Sequence, residues 1–277
     1  MTIYEQITSQ ILAALENGTN GWQELWDKSI DTGNPHNLLT GKDYSGVNVM
    51  MLWVTAWMRG YGSNEWLTFK QAAAMNGRIR RGEKGTACVF FRKVDLPKKS
   101  DEERDRTRSI AKGFFVFNRE QIDGLPPSEL KAKTFDPLAD GEAILNASHA
   151  NIKHGGNEAY YRASTDTIQL PCKASFSAAE NYYAVALHEL THWTGHSTRL
   201  DRTRGERFGD EAYAFEELVA ELGAAFLCAR LKLKGRLENH ADYIASWVKI
   251  LKTDTRAVLT AASQAEKAAN FVLGFQA

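Results

Sequence analysis

Residues 186–196 read ALHELTHWTGH. Three histidines and a glutamate stand in a stretch that otherwise has the pattern of a helix. His188 and His192 are four residues apart, which on an α-helix stacks them on one face about one turn apart. Two imidazoles so placed can converge on one tetrahedral ion. Glu189, one step round the helix, falls beside such an ion rather than on it. That is where a general base stands to take a proton from water at a metal. HExxH is therefore a candidate metal-dependent hydrolase motif, and its assignment turns on finding a third ligand.

The longer pattern HExxHxxGxxH would need a histidine at 198. That position is Thr198, so Gly195 notwithstanding, metzincin spacing is excluded. His196 falls two residues short and is expected to support the site rather than bind the ion. The better source is downstream, in YAFEELVAELGAAFLCARL (213–231). Glu217 and Glu221 are one helical turn apart there, while Ala214, Leu218, Leu222 and Ala225 form an apolar stripe for the core. A carboxylate one helix later is the gluzincin arrangement. Glu217 is expected to bind the ion and Glu221 to hydrogen-bond the far nitrogen of a liganding histidine. The reverse assignment stays open, because spacing does not separate the two. A closed structural site would commonly recruit cysteine, and Cys88, Cys172 and Cys228 are far apart with no CxxC pair. Tyr161 or Tyr213 is a candidate to steady an oxyanion.

Outward from this motif, residues 177–194, 210–232 and 240–275 carry helical patterning, the last broken. Residues 140–154 also read as helix. EAYYRASTDTIQLP (158–171) reads as a two-stranded hairpin, expected to lie as an edge strand beside the metal helix and to receive an extended peptide. GLPPSELKAKTFDP (124–137), with Pro126, Pro127 and Pro137, marks the expected boundary between domains 1–125 and 126–277.

The first domain has a different character. It holds five of the seven tryptophans. Residues 3–16 space Ile3, Ile7, Ile11, Leu12 and Leu15 as in an amphipathic helix. Asn48 to Met58 is apolar nearly all round, as in a buried helix. Leu67 to Met75 reads as a short helix with Thr68 as N-cap. NGRIRRGEKGT (76–86) reads as a hairpin turn, and residues 87–94 and 113–118 as strands. Between Arg78 and Lys112 stand 12 basic and 6 acidic residues, although the whole chain is neutral. Such a local field attracts a polyanion. Single-strand binders pair a cationic groove with aromatic platforms for bases. The candidates here are Trp22, Trp26, Tyr44 and Trp66, with Lys70, Arg78, Arg80, Arg81 and Lys84. Trp53 and Trp57, four apart in the apolar helix, read as core.

With 277 residues, 43% hydrophobic and 25% charged, the composition is that of an ordinary globular chain of one or two domains. The spaced, odd-numbered cysteines point to a reducing compartment. No run of apolar residues is long enough for a membrane helix, and residues 1–19 lack the pattern of a signal peptide. A cytoplasmic location is expected.

Two sets of motifs carry a family resemblance. GKDYSGVNVMML, EWLTFKQAAAMNGRIRRGEKGT and VFNREQIDGLP resemble the single-stranded-DNA-binding domain of ArdC-type antirestriction proteins. DTIQLP, YYAVALHELTHWTGHSTRLDR and YAFEELVAELGAAFL resemble the zincin metallopeptidase domain that follows it in that family. The resemblance covers most of the chain and implies an α+β protein of two domains, the second mostly helical and gluzincin-like. It implies a plasmid or mobile-element protein that binds single-stranded DNA and shields incoming DNA, as in conjugation, from host type I restriction enzymes. It also implies zinc, or another divalent ion such as Mn2+, at His188, His192 and a downstream glutamate, with Glu189 as the catalytic-type residue. Three readings stay open at this stage. The metal centre is a working peptidase, or the chain is a DNA- or enzyme-binding inhibitor with a structural metal, or it is a peptidase with no DNA role.

Overall fold

The computed structural model describes residues 5, 8–9, 11–13, 34–95, 107–127, 137–176, 178–202, 211–233, 241–254 and 256–276. Trp22 and Trp26 lie outside the described residues, as does most of the amphipathic stretch 3–16, although Ile11 is buried in the core.

The first half begins with a short strand β1 (His36–Asn37), followed by helix α1 (Val47–Arg59). The helix is buried from Val49 through Ala56, on every side, as its uninterrupted apolar run requires. It ends at Gly60, whose φ of 72° places it in the left-handed region that glycine adopts freely. Strand β2 (Glu65–Leu67) leads into helix α2 (Phe69–Ala74). Thr68 and Gln71 close a reciprocal capping box at its start: the Gln71 N–H donates to Thr68 Oγ1 at 3.3 Å, and the Thr68 N–H donates to Gln71 Oε1 at 2.9 Å. The Thr68 cap is where the sequence places it, while Leu67 belongs to the strand.

Strand β3 (Arg78–Ile79) precedes the long hairpin of β4 (Thr86–Asp95) and β5 (Thr107–Asn118), and β6 (Ile122–Asp123) follows. The basic, glycine-rich turn is not the tip of a hairpin as expected. Arg78 and Ile79 pair with Asp123 and Ile122, so β3 and β6 form a separate two-stranded sheet. The larger sheet has the order β1-β2-β5-β4, with only β1 and β2 parallel. Helix α1 docks on its outer edge through Asn48. That side chain accepts from the Val89 N–H and donates to the Val89 carbonyl, both at 2.8 Å, taking the place of a further strand.

The second half opens with helix α3 (Pro137–Ala147). The helix expected to reach residue 154 stops here. His149 takes a φ of 53°, and β7 (Asn151–His154) runs parallel to β9 (Thr167–Leu170), with β8 (Tyr160–Arg162) antiparallel on the other side. The hairpin is thus part of a three-stranded sheet with β9 at its centre. Four helices follow among the described residues: α4 (Ala179–Thr194), α5 (Glu211–Leu231), α6 (Ala241–Thr253) and α7 (Ala257–Leu273). The last two are the broken helix read from residues 240–275.

The two halves share one hydrophobic core. It runs from Val49, Met51, Trp53 and Val89 of the first into Leu187, Leu222, Phe226 and Val258 of the second. No described helix is long and apolar enough to cross a membrane.

Candidate metal centre

Helix α4 carries His188 and His192 on one face, their ring centroids 4.8 Å apart and nearly perpendicular. Helix α5 lies against it and supplies the carboxylates. The two helices pack tightly at Gly223, where a Cβ would fall 2.5 Å from Thr191 Cγ2 and 2.9 Å from Thr191 Oγ1. A glycine inside a helix costs about 1 kcal/mol relative to alanine. Here it removes the side chain that would hold the two helices apart.

The two Glu217 oxygens straddle the imidazole pair. Oε2 lies 3.5 Å from His188 Nε2 and Oε1 lies 3.5 Å from His192 Nε2. One ligand atom from each of His188, His192 and Glu217 falls within 4.8 Å of the others. Both Nε2 atoms therefore face inward, and both Nδ1 atoms face outer carboxylates. His188 Nδ1 is 3.6 Å from Glu221 Oε2, an ion-pair separation longer than a hydrogen bond. His192 Nδ1 is 3.2 Å from Glu216 Oε1. Glu189 is buried beside His188.

The electrostatics describe a site for a cation. Burial pushes the His188 pKa down, but Glu217 and Glu221 outweigh it and leave it well above the ordinary value. His192 is raised in the same sense, burial being opposed by Glu217 and Glu216. Burial alone would raise the Glu217 carboxyl, and the two imidazoles hold it far below the usual carboxylate range. Glu216 is held at about 2 against its burial by His192 and Arg202. Carboxylates that favour the charged form of two buried imidazoles offer the same field to a divalent ion. Two imidazoles and one carboxylate are a donor set that divalent transition ions accept, and three protein ligands leave a coordination position open.

The remaining candidates are placed as follows. His196 Nδ1 bonds Thr198 Oγ1 at 2.8 Å in the turn after α4, not the cluster. The Tyr161 hydroxyl donates to Asp166 at 2.7 Å and accepts from Arg199 at 3.3 Å. Tyr213 is half-buried one turn before Glu217 on α5. In the first half, Trp66 is fully buried in β2 and cannot stack on a base, which corrects its reading as a platform. An aromatic in a strand with a core on one side goes into that core. Tyr44 is half-buried, packed on the core, with its hydroxyl 3.5 Å from Asn37 Nδ2. Lys70, Arg78, Arg81 and Lys84 are exposed. Arg80 is exposed too, but its guanidinium bonds Glu83 at 3.0 Å and the Glu120 carbonyl.

Two groups of residues escaped the sequence reading. Glu216 and Arg202 flank His192, and nothing in the spacing distinguishes Glu216 from its neighbour Glu217. Phe69, Phe90 and Phe115 are exposed by 67%, 43% and 56% in strands and a helix where an apolar side chain is expected inside. Gly85 of the basic turn lies against Phe115 and Phe117, since a Cβ there would be 3.1 Å from each.

Residues 1–117 match the family described as the N-terminal domain of anti-restriction factor ArdC, and residues 139–264 match the zincin-like metallopeptidase family. DNA primase TraC of Escherichia coli is 42% identical over 291 residues, covering 99% of this chain and 27% of its own length. The chain thus spans about a quarter of that relative. The y4eC protein of Sinorhizobium fredii is 41% identical, over 98% of this chain and 91% of its own length. Two crystal structures of antirestriction ArdC protein from plasmid R388 are 38% identical with TM-scores of 0.83. The metal-free one covers 99% of this chain and 98% of its own, and the Mn(II)-bound one 100% and 99%. With likeness running end to end and the paired imidazoles facing a carboxylate in the second half, the chain belongs to the ArdC antirestriction family, a two-domain α+β protein with a zincin-like metallopeptidase domain.

Proposed function

We propose that this protein binds single-stranded DNA through its first half, protects DNA entering a host cell from restriction, and holds a divalent ion at His188, His192 and Glu217 in a peptidase-type centre. The observation that carries this reading is the convergence of those three side chains in a chain that matches a Mn(II)-bound ArdC along its whole length. Zinc and manganese both suit the donors. When bound, the ion supplies polarisation of a carbonyl and lowers the pKa of water. The chain's own groups do the rest. His188 and His192 present Nε2 inward, and Glu189, buried one step round α4, would take a proton from water at the ion. Tyr161 or Tyr213 would steady an oxyanion; the Tyr161 hydroxyl would have to leave Asp166 and Arg199 to do so.

On the DNA side, exposed Arg78, Arg81 and Lys84 surround a turn that rests against exposed Phe115. Cationic side chains beside an aromatic face suit backbone neutralisation with base stacking. Host type I restriction enzymes, or another DNA-bound protein, are the candidate targets.

Antirestriction by Glu189→Gln, compared with Phe115→Ala/Arg81→Ala, tests the proposal. Loss of protection in both, with metal and DNA binding retained in the first, supports an enzyme guided by DNA. Full protection by Glu189→Gln instead favours a binding inhibitor with a structural metal. Full protection by the Phe115/Arg81 variant, together with DNA affinity insensitive to salt, overturns the DNA reading.

A further inference from the structure

Arg202, in the segment after α4, is 5% exposed at its side chain. Its guanidinium grips Glu216 with two bonds, Nε to Oε2 at 3.1 Å and Nη2 to Oε1 at 2.8 Å. Nη2 also donates to the Thr191 carbonyl at 2.6 Å, and Nη1 to Thr194 Oγ1 at 2.7 Å. The same Glu216 Oε1 meets His192 Nδ1. One buried cation therefore joins the C-terminal end of α4 to the carboxylate that faces the outer nitrogen of His192. Gly195 gives it the room: a Cβ there would be 2.9 Å from Arg202 Nη2 and 3.1 Å from Cζ. The glycine that mimics a metzincin spacing in sequence is the floor under an arginine.

We propose that Arg202 is a positioning residue that acts through Glu216 on His192. With both its oxygens occupied by Arg202, Glu216 is neutralised and fixed. It cannot swing inward to compete with Glu217 for the ion, and it accepts from His192 Nδ1–H. The imidazole then keeps its Nδ1 proton, and Nε2, turned toward Glu217, is the nitrogen left to bind the ion. A histidine ligand held this way binds metal more tightly than one free to rotate or to change tautomer. The inference rests on the metal reading above.

Mn(II) is titrated into the metal-stripped full chain as wild type, Arg202→Met, Glu216→Leu and the double variant. Each single change weakens binding about 10–100-fold. The double variant is no weaker than the poorer single one, because both act on the same ring. Arg202→Met/Glu216→Gln keeps an acceptor for Nδ1–H, leaves no buried charge unpaired, and recovers most of the affinity. A purely structural pair would lower the melting temperature and leave affinity unchanged. Single variants that melt cooperatively and bind within about three-fold of wild type overturn the assignment, as do losses that multiply in the double variant. Should the single variants fail to fold, long-range 1H–15N NMR of Zn(II)-loaded wild type decides: a proton on His192 Nδ1 supports the assignment, and a proton on Nε2 overturns it. Wild type that takes up neither ion overturns the metal reading and this assignment together.

Discussion

Trp53 of α1 and Phe226 of α5 lie with ring centroids 5.7 Å apart, and this contact joins the first half of the chain to the helix that carries Glu216, Glu217 and Glu221. Trp53 is 4% exposed and Phe226 1%. The family boundary in sequence is thus not a boundary in the core. Removing residues 1–125 would strip the cover from α5, so point variants are the cleaner way to test the proposed DNA and metal roles separately.

Trp53→Ala is expected to cost about 3–5 kcal/mol, the range for deleting a large buried aromatic. Because the core is continuous, both halves should unfold together. Urea melts followed by far-UV circular dichroism and by Mn(II) retention should coincide, in wild type and variant alike. Separate transitions would show that the halves are stable independently.

Gly223→Ala should destabilise by about 1–3 kcal/mol although alanine is the better helix former, because its methyl would collide with Thr191. Pushing α5 outward also carries Glu217 away from the imidazoles, so Mn(II) affinity should drop. Adding Thr191→Ala relieves the collision and should restore both. Calorimetric titration beside a thermal melt reads the two effects.

The cluster also sets a pH dependence in the metal-free protein. His188 and His192 are raised, so their contribution is complete below the unfolded value of 6.5 and is lost as pH climbs through the folded values. Glu216 and Glu217 are lowered, so theirs is present above 4.5 and fades as pH falls, for Glu216 through about 2. These are two views of one set of ion pairs. Chelator-treated protein should therefore melt at lower temperature at pH 9 than at pH 6. Mn(II) competes with the same protons, so its affinity should rise over that interval.

Phe115→Ala should weaken binding of a single-stranded oligonucleotide by about 1–3 kcal/mol without loss of stability, since that ring is more than half exposed. Trp66→Ala should do the opposite, costing about 3–5 kcal/mol of stability through its fully buried site. Arg81→Ala/Lys84→Ala should flatten the salt dependence of binding. Filter binding across a salt series, with melts of each variant, distinguishes the three.

Much of the molecule was legible beforehand. Helical patterning located α4, α5 and the broken α6–α7 pair, an unbroken apolar run located α1, the Thr68 cap marked α2, and aromatic and β-branched runs marked β4 and the second half of β5. These are local properties, decided by residues within a few positions of each other. HExxH likewise dictated that His188 and His192 share a face, because that follows from 3.6 residues per turn.

Everything that required one element to meet another was decided by the tertiary structure. Periodicity orients a side chain about its own helix axis and is silent on how far a second helix is rotated or slid against it. Glu216 and Glu217 differ by about 100° around α5, and only the packing of α5 on α4, drawn close at Gly223, sends Glu217 between the imidazoles and Glu216 behind His192. Strand pairing is equally non-local: Arg78–Ile79 found Ile122–Asp123 instead of its neighbour β4, and 151–154 became a strand because β9 offered an edge. Trp66 and Phe115 carry the same hydrophobic expectation in sequence, and the sheet buries one and leaves the other in solvent.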